Sequence, residues 1–399
     1  MVPGPAETPQ REAATTVPTT SDIDVVCLGE SMVTFLPSVP GPLADVPSFH
    51  RAIGGAESNV ACTLARAGHR AGWVSRVGAD GFGDHLVAAI AAHGVDVSAV
   101  ARDPERPTGI YFRTDGERAT GTADPATPSI PTTPSSALSE VVYYRAGSAA
   151  SAMSPANIPH RAVRAGQVLH LTGITAALSA GCLALLRELT SARTPTGQGG
   201  SPGPLVSFDV NYRVGLWRPN TAPEPAAEVL RELARHSDIV FVGEDEAAAV
   251  WGVTGGPEAV RELLPEPAVL VVKQGAAGAT AFAGDGAAVF VPALRVDVVS
   301  PVGAGDAFAA GFLSGTLRGL PVRERLRHGH LMAAAVLTDA GDLAPPPARD
   351  VADRLVALDE ESWGRLRLET DWTVCGPQDP AAGRPDNPGA QQQPEVRPA

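Results

Sequence analysis

A glycine-rich turn with an acidic residue at its end occupies residues 303–306 of this chain. Gly303, Ala304, Gly305 and Asp306 follow a strand-like run and lead into a helical pattern of small residues. Backbone N–H groups beside small side chains approach an anion closely, and the positive end of the helix dipole points the same way. The turn therefore predicts a phosphate-binding site. Because a carboxylate repels phosphate, Asp306 is predicted to act as a base for a hydroxyl group that attacks the phosphate.

The same residues also suit an ordinary loop, in which Asp306 stands in the first turn of a helix and is favoured by the helix dipole. Short glycine motifs recur by accident, so this turn does not decide between the two interpretations by itself. The decision depends on the rest of the chain.

The composition limits the classes of partner. The 399 residues carry a formal net charge of -13 with a pI ≈ 5.2 and no basic run, which argues against nucleic acid or an anionic membrane as a main partner. No apolar window reaches the roughly 18 residues of a membrane span, and no export signal stands at the N-terminus. Four scattered cysteines without a CxxC pair disfavour a disulfide framework or a zinc site. We therefore predict a cytoplasmic protein.

Both ends of the chain are predicted to be disordered tails. Residues 1–21 are rich in Pro, Thr and Ala, and residues 371–399 are rich in Pro, Gln, Gly and Asp. Such segments bury too little apolar surface to offset the entropy of ordering. The folded part is predicted to span residues 22–370.

Strand and helix patterns alternate along the folded part. Short apolar runs that end in glycine or polar residues are typical of buried parallel strands, and the segments between them have helical spacing. This βαβα order predicts an α/β fold with a doubly wound, mostly parallel sheet and helices on both faces. The predicted strands are 24–29, 73–78, 168–173, 205–213, 238–243 and 268–273, a hairpin follows at 279–292, and the predicted helices are 54–68, 84–93, 179–191, 244–251, 303–318 and 323–340.

Two regions break this order and predict a second, smaller sheet. Residues 30–52 and 107–146 contain alternating, exposed strand patterns, and residues 115–139 between two of these strands are dense in Thr, Pro, Ser and Ala. We predict a small β-sheet lid that carries a flexible insertion at 115–139. Because an exposed lid strand often pairs with another edge, a homo-oligomer formed through the lid is a further expectation.

With a second glycine segment, the chain resembles the ribokinase-like (pfkB-type) carbohydrate kinases over nearly all of its folded part. Gly54-Gly-Ala-Glu-Ser-Asn-Val-Ala61 and Gly303-Ala-Gly-Asp-Ala-Phe-Ala-Ala-Gly311 match the two signatures of that family, in order and at a suitable separation. Two matched signatures are far more specific than either one. The resemblance implies a ribokinase-like fold with a lid, and ATP-dependent phosphorylation of a sugar hydroxyl.

The resemblance also implies roles for residues at the phosphate end. Asp306 would be the general base, and the backbone N–H groups around Gly303, Ala304 and Gly305 would form an anion hole, helped by Mg²⁺ carried by ATP. The segment that contains Lys273, Gly275 and Gly278 resembles the nucleotide-binding strand and turn. Lys273 could instead end its strand in solvent.

Two departures from the family pattern affect cations. Where the family usually has Asn-x-x-Glu, this chain has Gly243-Glu-Asp-Glu246, so Glu246 keeps a candidate role in placing Mg²⁺ through water while the asparagine is missing. A charged helix start is the alternative interpretation of Glu246. Ser300 stands where the family commonly has an aspartate, which puts a monovalent-cation site in doubt.

The predicted substrate is a sugar acid. The segment Val141-Val-Tyr-Tyr-Arg-Ala-Gly-Ser-Ala-Ala150 resembles the 2-keto-3-deoxygluconate kinases of the same family. A substrate carboxylate requires a fixed cation, and arginine supplies a bidentate match. Tyr143 and Arg145 lie two apart on a strand and so share one face. Arg213 is the second candidate, although fructokinase-like members carry a similar segment.

The first signature is predicted to hold the sugar hydroxyls, through Gly54, Gly55 and Asn59. The alternative for Asn59 is a polar residue that bonds to local backbone early in a helix, and for Tyr143 and Arg145 it is an exposed pair on the lid. A kinase of a neutral sugar, of the fructokinase or ribokinase kind, is the alternative function. A sugar-binding family member without catalysis is the alternative from another class, and the retained Asp306 argues against it.

Overall fold

The computed structural model describes residues 23–39, 41–114, 141–191, 203–217, 224–284, 288–339, 341–369 and 372–375. The predicted tail at 1–21 and the predicted insertion at 115–139 lie outside the described residues. The strands are β1 Val25–Leu28, β2 Met32–Pro37, β3 Phe49–Gly54, β4 Ala71–Gly78, β5 Val100–Asp103, β6 Ile110–Arg113, β7 Val141–Tyr144, β8 Val168–Thr172, β9 Leu205–Asp209, β10 Ile239–Gly243, β11 Val269–Lys273, β12 Gly278–Ala283, β13 Val289–Pro292, β14 Arg295–Val296 and β15 Arg367–Leu368.

The helices follow the strands along most of the chain. They are α1 Ala56–Arg66, α2 Gly81–Ala92, α3 His160–Val163, α4 Gly173–Ala177, α5 Ala180–Ser191, α6 Ala226–Arg235, α7 Glu244–Trp251, α8 Gly256–Leu263, α9 Ala304–Leu317, α10 Val322–Leu337, α11 Arg349–Val356, α12 Glu360–Arg365 and α13 Trp372–Cys375. Within the described part of the chain, none of these helices is long and apolar enough to cross a membrane.

The large sheet is mostly parallel, as the sequence predicts. Among the described residues it has nine strands in the order β13-β12-β11-β10-β9-β8-β1-β4-β5. The pairs from β11 through β5 are parallel, while β12 is antiparallel to both β11 and β13. The antiparallel end corresponds to the predicted hairpin. Parallel strands place their carboxyl ends at one edge of the sheet, so side chains at those ends can meet.

Helices cover both faces of this sheet because its strands alternate between two cores. Val25 and Cys27 of β1 belong to a core that includes α1, α9 and α10, whereas Val26 and Leu28 belong to a second core that includes α5 and α6. In β10, the ring of Phe241 packs edge to face on Phe312 of α9, with centroids 5.4 Å apart. This contact fixes α9 and its N-terminal turn on the sheet.

The predicted lid is a separate sheet. In the described residues it has four strands in the order β3-β2-β6-β7, with β2 parallel to β6 and the other neighbours antiparallel. Its base is fixed at Thr108, whose backbone N–H and hydroxyl both donate to Asp80, the N-cap of α2, at 2.8 Å. The lid therefore starts from a rigid point beside the main sheet.

The structure differs from the sequence-based predictions in several elements. Helices α6, α8, α11 and α12 and strand β5 are among the elements that the sequence patterns did not predict. The predicted end of the fold at residue 370 falls short, since Trp372 begins α13 and is 2% exposed in the first core. The average composition of the tail does not show that one of its residues is buried. The indole of Trp372 buries a large apolar area and so extends the folded part.

Candidate active site

Asp306 lies in the first turn of α9, and its carboxylate meets the first glycine segment. Asn59 of α1 donates a hydrogen bond from Nδ2 to Asp306 Oδ2 at 2.9 Å. The two residues are 247 positions apart in sequence, so the fold joins the two predicted signatures through their polar side chains. Asn59 is thus not a residue that bonds only to local backbone.

The turn before Asp306 has the geometry that an anion needs. Gly303 is the N-cap of α9 with φ 79, a left-handed conformation that favours glycine. The first helical hydrogen bond runs from Ala307 N–H to the Gly303 carbonyl at 2.9 Å. The N–H groups of Ala304, Gly305 and Asp306 therefore stand ahead of the helical ladder and are available to a bound group.

Burial changes the acidity of Asp306. It raises the pKa of this carboxyl to about 7, against the hydrogen bond from Asn59, which favours the ionised form. A carboxyl group with a pKa near neutrality accepts and releases a proton under ordinary conditions. This acidity is compatible with the prediction that Asp306 acts as a base.

Lys273 points into the site and does not end its strand in solvent. Its Nζ donates to both carboxylate oxygens of Asp209, at 3.1 and 2.9 Å, and its side chain is 20% exposed. A Cβ built on Gly305 would lie 3.7 Å from Lys273 Nζ, so the ammonium is next to the phosphate-binding turn. Burial alone would lower the pKa of Lys273, but Asp209 and Glu246 raise it overall, which keeps the side chain charged.

Glu246 has two contacts that match its two interpretations. Its Oε2 accepts a hydrogen bond from the backbone N–H of Gly243 at 2.8 Å and so caps α7. Its Oε1 lies 3.8 Å from Nη1 of Arg213. Burial raises the pKa of Glu246, and the Lys273 charge opposes this shift. A Cβ on Gly243 would lie 2.5 Å from Asp245 Oδ1, the end of an exposed side chain, so a larger residue here requires only that this carboxylate move.

Gly275 and Gly278 frame a short 3₁₀ turn that follows Lys273 at the end of β11. Both have positive φ, 57 for Gly275 and 144 for Gly278. A Cβ on Gly278 would lie 2.3 Å from the Val291 carbonyl oxygen. The glycines therefore set the path of the chain beside Lys273, and their contact with a nucleotide stays a prediction.

Arg145 is a buried lid residue with an acidic partner. It forms an ion pair with Glu30, and their side chains are 11% and 1% exposed. Glu30 also accepts a hydrogen bond from Ser148 Oγ at 2.6 Å. The Arg145 guanidinium lies 5.8 Å from the ring centroid of Tyr143, which agrees with the prediction that these two residues share a face. Tyr143 itself is 47% exposed.

Gly54 and Gly55 admit no side chain because the lid and β1 approach them closely. A Cβ on Gly54 would lie 2.3 Å from the hydroxyl oxygen of Tyr111, and one on Gly55 would lie 2.5 Å from the Glu30 carbonyl oxygen. The two glycines thus let the lid strand β6 and the end of β1 meet at the start of α1.

An acidic residue that the sequence did not predict, Asp342, lies at this junction. Asp342 accepts hydrogen bonds from the Tyr111 hydroxyl at 3.2 Å and from Arg113 Nη2 at 2.6 Å. It follows α10 in a loop without regular structure, so no periodic pattern marks it. Its only local signal is a Gly341-Asp342 pair, which is common in turns.

Glu57 is a second acidic residue that the sequence did not predict, and it is fully buried in α1. Its Oε1 accepts hydrogen bonds from the hydroxyls of Thr172 and Thr175, at 2.8 and 2.7 Å. Burial raises the pKa of Glu57 to about 7, and these two hydrogen bonds oppose the shift. Glutamates are rarely buried, so no sequence pattern marks Glu57 as a buried residue.

The site fits a metal ion that arrives with a nucleotide. Among the described residues, no three His, Cys, Asp or Glu side chains converge as a metal cage. Mg²⁺ keeps several waters and is commonly bound through one or two carboxylates and substrate phosphates, so such a cage is not required. Glu246 and Asp209, both close to Lys273, are the carboxylates on the phosphate side.

The chain is similar to known proteins over most of its length. A family model described as pfkB family carbohydrate kinase matches residues 22–127 and 132–349. The 2-dehydro-3-deoxygluconokinase of Bacillus subtilis (strain 168) is 34% identical over 334 residues, which cover 82% of this chain and 94% of that protein. The protein of the same name from Thermoproteus tenax is 33% identical over 343 residues, which cover 86% of this chain and 97% of that protein.

Solved structures agree with the architecture. A PfkB protein from Polaromonas sp. JS666 is 33% identical with a TM-score of 0.66, and the match covers 84% of this chain and 100% of that chain. The residues matched by the family model contain the strands of the large sheet and of the lid and both glycine segments.

Proposed function

Because this chain belongs to the pfkB family of carbohydrate kinases, we propose that it transfers the γ-phosphoryl group of ATP to a hydroxyl of 2-keto-3-deoxygluconate and forms the 6-phosphate. That the chain is a sugar kinase, with an alcohol group as acceptor, follows from its family and its relatives. The contact that supports the mechanism best is the hydrogen bond between Asn59 and Asp306. It supports the proposal because it brings Asp306, with a pKa of about 7, to the point where the first glycine segment meets the turn at 303–306.

Asp306 is the general base of the proposed reaction. Its Oδ2 already accepts one hydrogen bond from Asn59, which orients the carboxylate and leaves Oδ1 for the sugar hydroxyl. As the hydroxyl oxygen attacks the γ-phosphorus, its proton passes to Asp306. Asn59 serves as a positioning residue for this base, and Gly54 and Gly55 let the sugar approach it.

The turn at 303–306 stabilises the charge that develops on the transferred group. The N–H groups of Ala304, Gly305 and Asp306 converge there, and the positive end of the α9 dipole adds to them. Lys273 lies behind the turn and stays charged beside Asp209, so it supplies a fixed positive charge to the phosphates. Gly275 and Gly278 then line the nucleotide side.

Mg²⁺, bound with ATP, supplies charge neutralisation for the phosphates in kinases. The side chains available to orient its water ligands are Glu246 and Asp209. Glu246 uses one oxygen to cap α7, which leaves the other for such a water. A monovalent cation is not part of the proposal, because Ser300 stands where the family commonly has an acidic ligand.

Two arginines suit the carboxylate of a sugar acid. Arg145 is held by Glu30 and stacked near Tyr143, so its planar fork is fixed before a substrate binds. Arg213 is 38% exposed, and its nearest acidic partner in the described residues is Glu246 at 3.8 Å. The loosely paired Arg213 has more free donors, whereas Arg145 is better oriented, so we propose that both contact the acid.

A neutral-sugar kinase is the second candidate, and one observation favours it. Glu30 already neutralises the charge of Arg145. If the pair stays intact when the substrate binds, Arg145 offers hydrogen bonds but little net charge to a carboxylate. A substrate comparison separates the two candidates.

The test is a substrate screen with purified protein and Mg-ATP. We expect kcat/KM for 2-keto-3-deoxygluconate to exceed the values for fructose and ribose by about 10- to 100-fold, since a charge-assisted hydrogen bond contributes roughly 1.5–3 kcal/mol. A higher kcat/KM for fructose or ribose would reject the keto acid and favour the second candidate. Absence of turnover on every sugar would favour the non-catalytic alternative.

Variants of Arg145 provide the matched control for the screen. Arg145→Ala should raise KM for the keto acid about 10-fold or more while KM for ATP stays the same. Arg145→Lys keeps a charge beside Glu30 but loses the planar fork, so it should show an intermediate KM. Arg102→Ala removes an exposed arginine paired with Asp84 and should change neither value. An unchanged KM in Arg145→Ala would remove this residue from the substrate site.

A further inference from the structure

Arg113 and Asp342 form a buried ion pair that joins the lid to the far end of the fold. Arg113 is the last residue of β6, and Asp342 lies in the loop after α10. Arg113 Nη2 is 2.6 Å from Asp342 Oδ1, and the two side chains are 7% and 6% exposed. Neither residue belongs to a glycine signature or to the Arg145–Glu30 pair.

The backbone of Asp342 supports the phosphate-binding turn directly. A Cβ built on Gly303 would lie 2.4 Å from the Asp342 carbonyl oxygen and 3.3 Å from its Cα, so the two backbones are in van der Waals contact. Gly303 is the residue whose left-handed conformation starts α9. Any shift of Asp342 therefore changes the space available to the turn.

The side chain of Asp342 also reaches the sugar side. A Cβ on Gly54 would lie 3.1 Å from Asp342 Oδ2, and the same oxygen accepts the hydrogen bond from Tyr111 of the lid. One residue thus contacts the lid, the first glycine segment and the turn that binds phosphate. These are the three parts that a kinase has to align before transfer.

Stability alone does not account for a charged pair at this place. A buried ion pair loses hydration that its mutual attraction often fails to recover, so apolar residues of similar volume are commonly as stable. In addition, Arg113 Nε is buried without a hydrogen-bond partner among the described residues. What a planar guanidinium provides, and an apolar side chain does not, is a fixed distance and direction between β6 and the Asp342 loop.

We propose that Arg113 is a positioning residue that couples the lid to the phosphate-binding turn. A sugar that contacts the lid restrains β6, Arg113 passes this restraint to Asp342, and the backbone of Asp342 holds Gly303 in its left-handed conformation. Without the pair, the turn loses this support. The sugar thereby assembles the site for its own phosphorylation, whichever sugar it is, so the inference goes beyond the choice of substrate.

The test compares transfer to sugar with transfer to water. In Arg113→Gln, kcat for the best sugar of the screen should fall at least about 10-fold, while the slow hydrolysis of ATP without sugar changes less than about 2-fold. A purely structural loss would lower both rates together. Arg76→Gln is the matched control, because it breaks a comparable ion pair with Asp103, at 2.9 Å with side chains 17% and 8% exposed, on the β4–β5 pair. In Arg76→Gln, the ratio of sugar phosphorylation to ATP hydrolysis should equal the ratio in the unaltered protein.

A second variant keeps the test decisive if Arg113→Gln does not fold. Arg113→Lys retains the charge beside Asp342 but loses the fork. Amide hydrogen exchange in the unaltered protein should slow on addition of sugar both in β6 and in residues 303–307. In Arg113→Lys, the protection of β6 should remain and the protection of 303–307 should be lost. Equal protection of both segments in the variant, with an unchanged ratio of rates, would overturn the proposal.

Discussion

Asp306 combines three properties that a base requires, and different neighbours provide each one. Its position comes from Gly303, whose left-handed conformation turns the chain into α9. Its orientation comes from Asn59, and its acidity comes from burial, which raises its pKa to about 7. We therefore expect changes at Gly303, at Asn59 and in the buried surroundings to alter different kinetic properties of Asp306.

The pKa of Asp306 predicts the pH dependence of the reaction. A base acts in its ionised form, so kcat/KM for the sugar should fall as the pH decreases below about 7 and level off above it. Asp306→Asn should lower kcat by roughly 10²–10⁴-fold, because the amide does not take the proton. ATP binding by titration calorimetry should be retained. Asp350→Asn, a change in an exposed acid of α11, should leave the rate and its pH profile unchanged.

An Asp306→Asn protein with near-normal turnover would show that another group takes the proton. A pH profile that stays flat between pH 5 and 9 in the unaltered protein would contradict the assigned acidity, because a free enzyme with this base is largely protonated at the lower end.

Site residues can be predicted from the sequence when they stand in recognisable local segments. Asp306, Gly303 and Asn59 stand in two segments that resemble the signatures of the family, so their neighbourhood in space could be anticipated from that resemblance. Asp342 and Asp209 act through partners far along the chain, and neither is marked by a periodic pattern. For Lys273 the strand end was clear, but only the packing decides between solvent and the interior.

At the scale of elements, helix α1 has two buried polar contacts that fix it in place. Asn59 reaches α9, while Glu57 reaches Thr172 at the end of β8 and Thr175 in α4. Gly29 allows this approach, since a Cβ there would lie 2.1 Å from the Glu57 carboxyl carbon. The first glycine segment is thereby fixed between the strand ends and the phosphate-binding turn.

Because the pKa of Glu57 is raised in the folded protein, we expect the free energy of unfolding to fall as the pH rises. Its folded pKa of about 7 exceeds its ordinary value of 4.5, so its protonated form stabilises the fold below pH 4.5, and this contribution is lost as the pH rises through about 7. The difference between the two pKa values corresponds to about 3 kcal/mol in the free energy of unfolding. Glu57→Gln should therefore unfold at a urea concentration that depends less on pH between 5 and 8. Glu258→Gln, in an exposed position of α8, should keep the original dependence.

A Glu57→Gln protein whose urea midpoint still decreases by the full amount over this range would show that other groups cause the dependence. Asp306, whose folded pKa is also raised to about 7, contributes in the same direction, so the variant should lose only part of it.

At the scale of the whole molecule, two cores enclose one sheet and the C-terminal segment belongs to the first core. Trp363 and Trp372 are 1% and 2% exposed, and the Trp363 indole donates to the Pro292 carbonyl at 3.0 Å. The chain after α10 therefore returns to the antiparallel end of the sheet and closes that core. We propose one kinase domain from residue 22 to about residue 375, with tails that do not contribute to it.

Deletions at the two ends test this boundary. Removal of residues 1–21 and 376–399 should leave Tm and turnover unchanged, because these segments have the composition of disordered tails. Removal from residue 371 onward also deletes Trp372 and should lower Tm clearly, since the loss of a buried tryptophan costs roughly 3–5 kcal/mol. Calorimetric scans of the two shortened proteins provide the measurement. Equal Tm values would show that Trp372 is not part of the core.

The hydrogen bond between Asn59 and Asp306 also has a consequence for how the protein is made. A ribosome adds about 5–20 residues per second, so the base emerges tens of seconds after the amide that orients it. In that interval the buried face of α1 lacks α9, against which it packs in the first core. Contacts of such high sequence separation form slowly. The nascent chain therefore exposes part of the apolar surface of α1, and catalysis begins only when α9 has left the ribosome.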